Sequence, residues 1–430
     1  MKRIILFFLV VFSFTISCKK QDTVAPEVEI ILPTSNQVFS VGDTVLISAK
    51  VSDNEIIKQI QVAIVNENRI PVLSNIIVQA NTNPFSFQMS YPINNVYLED
   101  GKYYVLVKAM DEENFKNKYC EIYINEIPKE LKKVILVAES GVDITVCLVD
   151  TAFQSVAWTP IYTDYAVSVV DSRSQQLIIA GNITDDIVAY DISSQIENWT
   201  IDAVPNPPFQ FCTNMNLQNQ EIMLSLYYNR QFKTYNTSGS LTKSATIDIP
   251  NFYPVYAYKT DEYYFLFIKG ISGGNAIELY YPASLVSHNA LFVGWDILEM
   301  FEYDNDNVFC FGNTSAGQGV MEIYEISSNN TWEPHTVPVG RIYNVAETDK
   351  GEFLIAHTDG VYRYTYYNNS LVNILAVSPR QIEYDEVNDV FYVVDNIGKL
   401  TSYTNTSPPT QINQILCTDT VLDMHLLYNK

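Results

Sequence analysis

The chain has 430 residues, of which 47% are hydrophobic and 13% aromatic, which is enough apolar material for the cores of two domains. It carries 49 acidic and 26 basic residues, a formal net charge of −23 at pH 7. Because nucleic acids and anionic lipid surfaces repel such a protein, the charge argues against both as electrostatic partners.

The N-terminus has the pattern of an export signal. Two basic residues precede an apolar run over residues 4–16, which is too short to cross a bilayer as a helix. Ser17 stands directly before Cys18, and this ending resembles a lipoprotein signal peptide spanning residues 1–18. The resemblance implies lipid attachment at Cys18 and an outer-membrane lipoprotein, facing the periplasm or the cell surface, with residues 19–25 as a tether. The alternative is an ordinary cleaved signal.

Residues 26–128 are expected to form a β-sandwich. The segment 45–51 alternates strictly between apolar residues facing inward and other residues facing outward, as in a half-buried strand. Residues 98–109 lead from a polar turn into another alternating segment. This segment resembles the corner before strand F of Ig-like and fibronectin-III-like modules, in which a tyrosine, here Tyr103, ties the corner. The resemblance implies an Ig-like β-sandwich.

Acidic residues follow two strands of the predicted sandwich. Asp53 and Glu55 come after one strand, and Asp111 and Glu113 come after the other. In such a sandwich these loops lie at the same end, beside Asp22. Clustered carboxylates suit Ca²⁺, which takes about six to eight oxygen ligands. The sequence leaves two interpretations open, a calcium site and acidic turns in contact with solvent, and no other cofactor is expected.

From residue 133 onward a short apolar strand pattern recurs seven times, with successive spacings of 43, 45, 43, 44, 44 and 38 residues. A second series, of tyrosines, keeps nearly the same period. Four-stranded propeller blades repeat at about 40–45 residues, and we expect the apolar runs to be the inner strands of such blades. The runs begin at Val134, Leu177, Ile222, Phe265, Phe309, Phe353 and Phe391.

The ends of this region predict how the ring closes. The first run, at Val134, has no strand before it, and residues 421–427 form an unpaired apolar strand pattern at the C-terminus. The pattern over residues 168–191 resembles the blades of WD40-like and YVTN-like bacterial propellers. The predicted fold class is therefore all-β, an Ig-like β-sandwich followed by a seven-bladed β-propeller over residues 133–430, closed by the C-terminal strand. Closure hides sheet edges that would otherwise invite aggregation.

The sequence contains fewer signals for catalytic or disulfide-forming residues than for the fold. Five cysteines remain besides Cys18, each inside a strand pattern, and their odd number predicts free buried thiols. There is no Gly-x-Ser-x-Gly, HExxH or phosphate-loop motif, so no catalytic residue is assigned. His357 with Asp359 is the one His/Asp pairing worth inspecting.

Ligands of propellers generally bind on the face built from the loops between the second and third strands and from the connections between blades. The sequence puts arginines there, which form bidentate bonds to carboxylate or phosphate, and aromatic residues, which stack on sugars or peptide side chains. The alternative is that the arginines pair with neighbouring aspartates and the tyrosines are ordinary surface residues. The candidates are Arg230, Arg341, Arg380, Tyr228, Tyr253 and Trp295.

The sequence predicts a binding or scaffold module for a protein or polysaccharide partner at the cell envelope. The alternative is a carbohydrate-active enzyme, a hydrolase or lyase, with carboxylates in the propeller channel. Carboxylates converging in a deep axial cavity would favour the enzyme. An exposed face with Trp295, Tyr253 and the arginines would favour binding.

Overall fold

The computed structural model describes residues 22–141, 143–417 and 419–430. Cys18, and with it the predicted signal and lipid-attachment site, lies outside these residues. The described chain consists of strands and turns with two short 3-10 helices, Tyr228–Arg230 and Tyr366–Asn368. In the described part of the chain, no helix has the length and apolar character needed to span a membrane. The chain divides into two compact units after Pro128.

The first unit consists of two sheets. All neighbouring strands pair antiparallel except β2 and β8, which are parallel. One sheet has the order β1 (Glu27–Leu32), β3 (Thr44–Ser52), β6 (Phe85–Pro92); the other has the order β2 (Gln37–Ser40), β8 (Phe115–Asn125), β7 (Gly101–Met110), β4 (Ile57–Val65), β5 (Ile76–Thr82).

The core of this unit follows the predicted alternation. The four residues of segment 45–51 that were predicted to face inward are fully buried, and they belong to one core with apolar residues of β4 and β7. The Tyr103 hydroxyl donates a hydrogen bond of 3.0 Å to the carbonyl of Glu99. This bond ties the corner before β7, as the resemblance to Ig-like modules implied.

The second unit consists of seven four-stranded antiparallel sheets. From the innermost strand outward they are β36 (Thr420–Tyr428), β9 (Leu131–Ser140), β10 (Asp143–Asp150), β11 (Ser155–Ala157); β12 (Tyr165–Asp171), β13 (Gln176–Gly181), β14 (Ile187–Asp191), β15 (Glu197–Ile201); β16 (Cys212–Gln218), β17 (Glu221–Leu226), β18 (Gln231–Asn236), β19 (Leu241–Thr246); β20 (Phe252–Lys259), β21 (Tyr264–Gly270), β22 (Asn275–Tyr280), β23 (Ser287–Val293); β24 (Trp295–Glu302), β25 (Asn307–Thr314), β26 (Gly319–Glu325), β27 (Asn330–Trp332); β28 (Ile342–Asp349), β29 (Glu352–His357), β30 (Gly360–Thr365), β31 (Ser370–Leu375); β32 (Pro379–Asp385), β33 (Val390–Asp395), β34 (Lys399–Thr404), β35 (Gln411–Leu416).

The last strand closes the ring. β36 pairs antiparallel with β9, with Met424 opposite Leu136 and Leu426 opposite Val134. The innermost strands contact one another in ring order, and β36 contacts both β12 and β32. The predicted fold class, an Ig-like sandwich followed by a seven-bladed propeller closed by the C-terminal strand, is confirmed.

The position of the apolar runs within each blade differs from the prediction. They form the second strand of each sheet, for example β13 and β17, in which every residue but the first is buried. A second strand is covered on both faces by the neighbouring blades, so it must be apolar throughout. The weaker strand before each run is the innermost one. It can carry polar residues because one of its faces borders the central channel.

The recurrent tyrosines lie on the third strands and hold turns in place. Tyr324 and Tyr364 are fully buried, and their hydroxyls donate hydrogen bonds to the side chains of Asn329 and Asn369, at 2.6 and 3.2 Å. Both asparagines have left-handed backbone conformations, with φ of 49° and 48°. Asparagine tolerates this conformation better than most residues, and the hydrogen bond from the tyrosine fixes it.

Candidate functional site

A polar cavity of about 330 Å³ lies on the axis of the propeller. Side chains at alternate positions of the innermost strands line it, as the period of two in a strand requires. The polar residues among them are Ser168, Asn214, Asn216, Tyr256, Glu299, Asn344, Gln381, Glu383, Asp423 and His425. Carboxylates therefore converge in the axial channel, which is the arrangement that the sequence analysis tied to the enzyme alternative.

Two glutamates in this channel favour their neutral form. Glu299 accepts hydrogen bonds from the Tyr256 hydroxyl, at 3.2 Å, and from the Asn344 amide, at 3.5 Å. Burial among the innermost strands raises the pKa of Glu299 to about 7. Burial, with the negative charges of Glu299 and Asp423, raises the pKa of Glu383 to about 8. Near neutral pH these side chains can act both as donors and as acceptors of hydrogen bonds.

Asp423 is the centre of a hydrogen-bond network on the other side of the channel. Its carboxylate accepts hydrogen bonds from the Tyr165 hydroxyl, from the Ser168 backbone N–H at 3.1 Å and from the Gln381 amide at 3.1 Å. The Ser168 hydroxyl lies 2.8 Å from Nε2 of His425, whose pKa burial lowers. Oε1 of Gln381 is buried without a hydrogen-bond partner. An acceptor left free beside a cavity suits a ligand that carries hydroxyl groups.

Two larger cavities continue the channel toward the face built from the blade connections. One, of about 730 Å³, shares Asn214 and Asp423 with the axial cavity and is also lined by Arg380. The other, of about 380 Å³, shares Asn214 and Tyr256 with it and is lined by Arg341. We call these two cavities the channel mouth. The guanidinium groups of Arg341 and Arg380 form neither ion pairs nor hydrogen bonds with the described residues.

The remaining predicted ligand residues lie elsewhere. Arg230 donates a hydrogen bond of 3.1 Å to the carbonyl of Ile249, and neither Arg230 nor Tyr228 lines these cavities. The prediction for Trp295 is wrong, because its side chain is only 5% exposed and belongs to a core cluster. The ring packs over Gly312, where an added Cβ would lie 2.9 Å from it. Trp295 is therefore a core residue at the start of β24.

Tyr253 belongs to a row of aromatic rings that was not predicted as such. The Phe209 and Tyr227 rings stack with centroids 5.2 Å apart and an angle of 5°, and the centroid of Tyr253 lies 4.6 Å from that of Tyr227. Phe209 is 46% exposed. These residues precede β16, follow β17 and begin β20, so the row lies on the face with the blade connections. Its signal in the sequence is one aromatic residue before a blade, one after the second strand of that blade and one at the start of the next blade.

The pairing of His357 and Asp359 forms, with Nδ1 of the histidine 2.5 Å from the carboxylate. However, His357 is fully buried, and its ring lies beneath Gly340, where an added Cβ would be 2.6 Å from Cε1. It lines none of the cavities described above. His357 is therefore shielded from any substrate in the channel, although the Asp359 side chain is exposed.

In the first unit, three aspartates gather at one end of the sandwich. Ligand oxygens of Asp22, Asp53 and Asp111 all lie within 4.8 Å of one another. Two of the four residues predicted as metal ligands, Asp53 and Asp111, are in this group. Glu55 is exposed and outside it. The Glu113 carboxylate is also outside the group, but it accepts a hydrogen bond of 2.8 Å from the Asp22 backbone N–H, and the Glu113 backbone N–H donates one of 2.5 Å to Asp111. We call Asp22, Asp53 and Asp111 the aspartate cluster.

All five cysteines of the described chain are free thiols, as predicted. Cys147 in β10 and Cys417 after β35 bring their sulfur atoms to 4.0 Å. The hydrogen bond from Cys417 lowers the pKa of the Cys147 thiol to about 7. Cys212 and Cys310 are fully buried, and burial raises the pKa of both thiols, that of Cys212 to about 12. The thiols therefore differ strongly in reactivity.

These features define an all-β protein with an N-terminal Ig domain and a C-terminal seven-bladed propeller with a polar axial channel. Residues 26–107 match the family model of the bacterial Ig domain, so the first unit is such a domain. No curated protein sequence matches the chain.

Several solved structures are similar in fold. One is a quinonprotein alcohol dehydrogenase-like protein from Bacteroides thetaiotaomicron, with 10% identity over 94% of this chain and 99% of that chain and a TM-score of 0.47. Sqt1 from Saccharomyces cerevisiae has 10% identity over 69% of this chain and 89% of that chain, with a TM-score of 0.47. The Cps50 (Swd1) β-propeller domain from Myceliophteria thermophila has 9% identity over 61% of this chain and 92% of that chain, with a TM-score of 0.44.

Proposed function

We propose that the propeller is a binding module for an acidic polysaccharide, held at the channel mouth. One observation carries the proposal. The guanidinium groups of Arg341 and Arg380 line the mouth of a polar channel, and neither has a partner among the described residues. A guanidinium group forms bidentate hydrogen bonds to a carboxylate, and an unpaired one is ready to do so. The channel groups supply donors and acceptors for hydroxyls, and the exposed ring of Phe209 offers a face for stacking.

The test is calorimetric titration of the purified protein with oligosaccharides that contain uronic acids and with neutral ones of equal length. We expect only the acidic oligosaccharides to bind. Arg341→Ala and Arg380→Ala should each weaken binding roughly tenfold to a hundredfold, since a hydrogen bond to a charged group contributes about 1.5–3 kcal/mol. Arg69→Ala serves as the control, because it removes the same charge from the first unit. Equal binding of neutral oligosaccharides, or no loss in either arginine variant, would refute the proposal.

We further propose that the protein is an envelope-anchored lipoprotein of the outer membrane. Its support is the basic and apolar pattern of residues 1–18 with Cys18 at its end. Labelling of growing cells with a clickable fatty acid should tag the wild-type protein and Cys120→Ser but not Cys18→Ser. Label on Cys18→Ser, or unlabelled wild-type protein in the soluble fraction, would contradict the anchor.

A second candidate function, cleavage of the bound polysaccharide, rests on the buried glutamates. An acid with a pKa of about 7, such as Glu299, is protonated often enough near neutral pH to donate a proton to a leaving group. The enzyme hypothesis predicts that Glu299→Gln binds acidic oligosaccharide like the wild type but releases no shortened products. If the wild-type protein also releases none while binding tightly, the propeller only binds.

A further inference from the structure

We infer that the bacterial Ig domain binds a calcium ion at the aspartate cluster, where carboxylate oxygens of Asp22, Asp53 and Asp111 lie within 4.8 Å of one another. This site is separate from the channel and does not depend on the function proposed for the propeller.

The fold itself brings the three residues to one place. Asp53 is the first residue after β3 and Asp111 the first after β7, strands that belong to the two different sheets of the sandwich. Asp22 approaches from the segment that leads into β1. Its side chain accepts hydrogen bonds from the Asn54 amide, at 3.0 Å, and from the Asn114 amide, at 3.3 Å. The loops after β3 and β7 therefore both hold Asp22 against the cluster.

Asp111 is held in one orientation and keeps one oxygen free. Its Oδ1 accepts the backbone N–H groups of Glu113, at 2.5 Å, and Asn114, at 2.6 Å. Asp111 is only 8% exposed, yet its Oδ2 is buried without a hydrogen-bond partner among the described residues, and so is Oδ2 of Asp53. A buried carboxylate oxygen without a donor is costly, and two of them side by side cost more. A cation between them removes this cost.

Among the described residues, no side chain supplies that positive charge. None of their ion pairs includes a member of the aspartate cluster, and Lys58 pairs with Glu112 instead. The cluster thus concentrates negative charge, and a bound cation would balance it.

The spacing and the ligand type favour calcium. Ca²⁺ binds oxygens at about 2.3–2.6 Å, so two ligands on opposite sides of the ion are about 5 Å apart. Oxygens within 4.8 Å of one another fit inside that sphere. Mg²⁺ demands a smaller and nearly ideal octahedron, whereas Ca²⁺ accepts irregular loops completed by backbone carbonyls and water. Zinc prefers thiolate and imidazole ligands, and the cluster offers only carboxylates.

The test is titration of the purified full chain with CaCl₂ after treatment with EDTA, followed by calorimetry. We expect a single site that saturates below about a few millimolar, the range of calcium modules outside the cytosol. Asp111→Asn, which keeps the Oδ1 acceptor but removes the charge, should weaken calcium binding at least about tenfold. Glu67→Gln, which neutralises an exposed acid of the same unit, is the matched control and should bind like the wild type.

Thermal unfolding separates a calcium ligand from a merely structural aspartate. In EDTA, Asp111→Asn should melt at the same temperature as the wild type or higher, because repulsion with Asp53 is relieved. In calcium, it should melt lower, because the wild type gains the binding free energy and the variant does not. A lower melting temperature in both conditions would overturn the inference. So would the absence of calcium binding by the wild type at millimolar concentration, or equal binding of Mg²⁺.

Discussion

Replacement of Trp295 by alanine tests whether this residue belongs to the core or to a ligand surface. The side chain is 5% exposed and shares a core cluster with Phe267 and Ile297. Removal of a buried aromatic ring costs about 3–5 kcal/mol, because apolar contacts are lost and a cavity remains. With a dependence on urea of roughly 3 kcal/mol per molar for a unit of this size, the unfolding midpoint of the propeller should fall by about 1 M.

The measurement is urea unfolding followed by circular dichroism, which does not depend on tryptophan fluorescence. Trp332→Ala is the matched control, since Trp332 is 43% exposed and the chemical change is identical. Its midpoint should shift by an amount equivalent to less than about 1 kcal/mol. If the two variants shifted the midpoint equally, Trp295 would be a surface residue and the assignment of its position in β24 would be wrong.

Three further predictions concern the channel, the closing strand and the thiols. As the pH rises from about 4.5 to about 8, the wild-type propeller should lose more stability in urea titrations than the Glu299→Gln/Glu383→Gln variant. The folded-state pKa values of about 7 and about 8 lie above that of glutamate in the unfolded chain, so within this window unfolding releases protons and a rise in pH favours it. A parallel pH dependence of the two proteins would contradict this. Deletion of residues 420–430 should leave the edge of β9 unpaired and cause aggregation measurable by light scattering; a monomeric, cooperatively unfolding product would argue against closure by β36. In mass spectrometry of the native protein, iodoacetamide near pH 7 should label Cys147 first, and Cys417→Ala should raise the pH midpoint of that reaction; faster labelling of another thiol would contradict the pKa of about 7.

Most of the fold was predictable because its determinants are local and periodic. The alternation of segment 45–51 specifies one buried face, and the period of the apolar runs specifies a blade. Ring closure could be predicted by counting strands. The run at Val134 had no strand before it, and the strand pattern at the C-terminus had no strand to pair with. The order of strands within a blade was predicted correctly, but the apolar run was wrongly named the inner strand. An apolar run marks burial on both faces, and in a propeller that position is second from the axis.

The site was less predictable, because it depends on side chains from strands far apart in the sequence. Glu299, Glu383 and Asp423 come from three different innermost strands, and the blade period that separates them does not say which residue type stands at each position. Each stands at an alternate position of a weak strand, so a correct strand order would have marked them. Trp295 and Arg341 follow similar blade connections, but one side chain turns into the core and the other lines the channel mouth. That difference depends on how the side chains pack, which the pattern of residue types does not show.

The pairing of β36 with β9 has a consequence for when the propeller can fold. The first blade lacks its innermost strand until residues 420–428 have been synthesised, so it is the first blade to begin and the last to be completed. A contact that joins the two extremities of such a long segment is slow to form, because the chain must first give up the entropy of a very large loop. If the protein is exported as proposed, it crosses the membrane before the propeller has folded. The ring then closes only after β36 has crossed and can pair with β9.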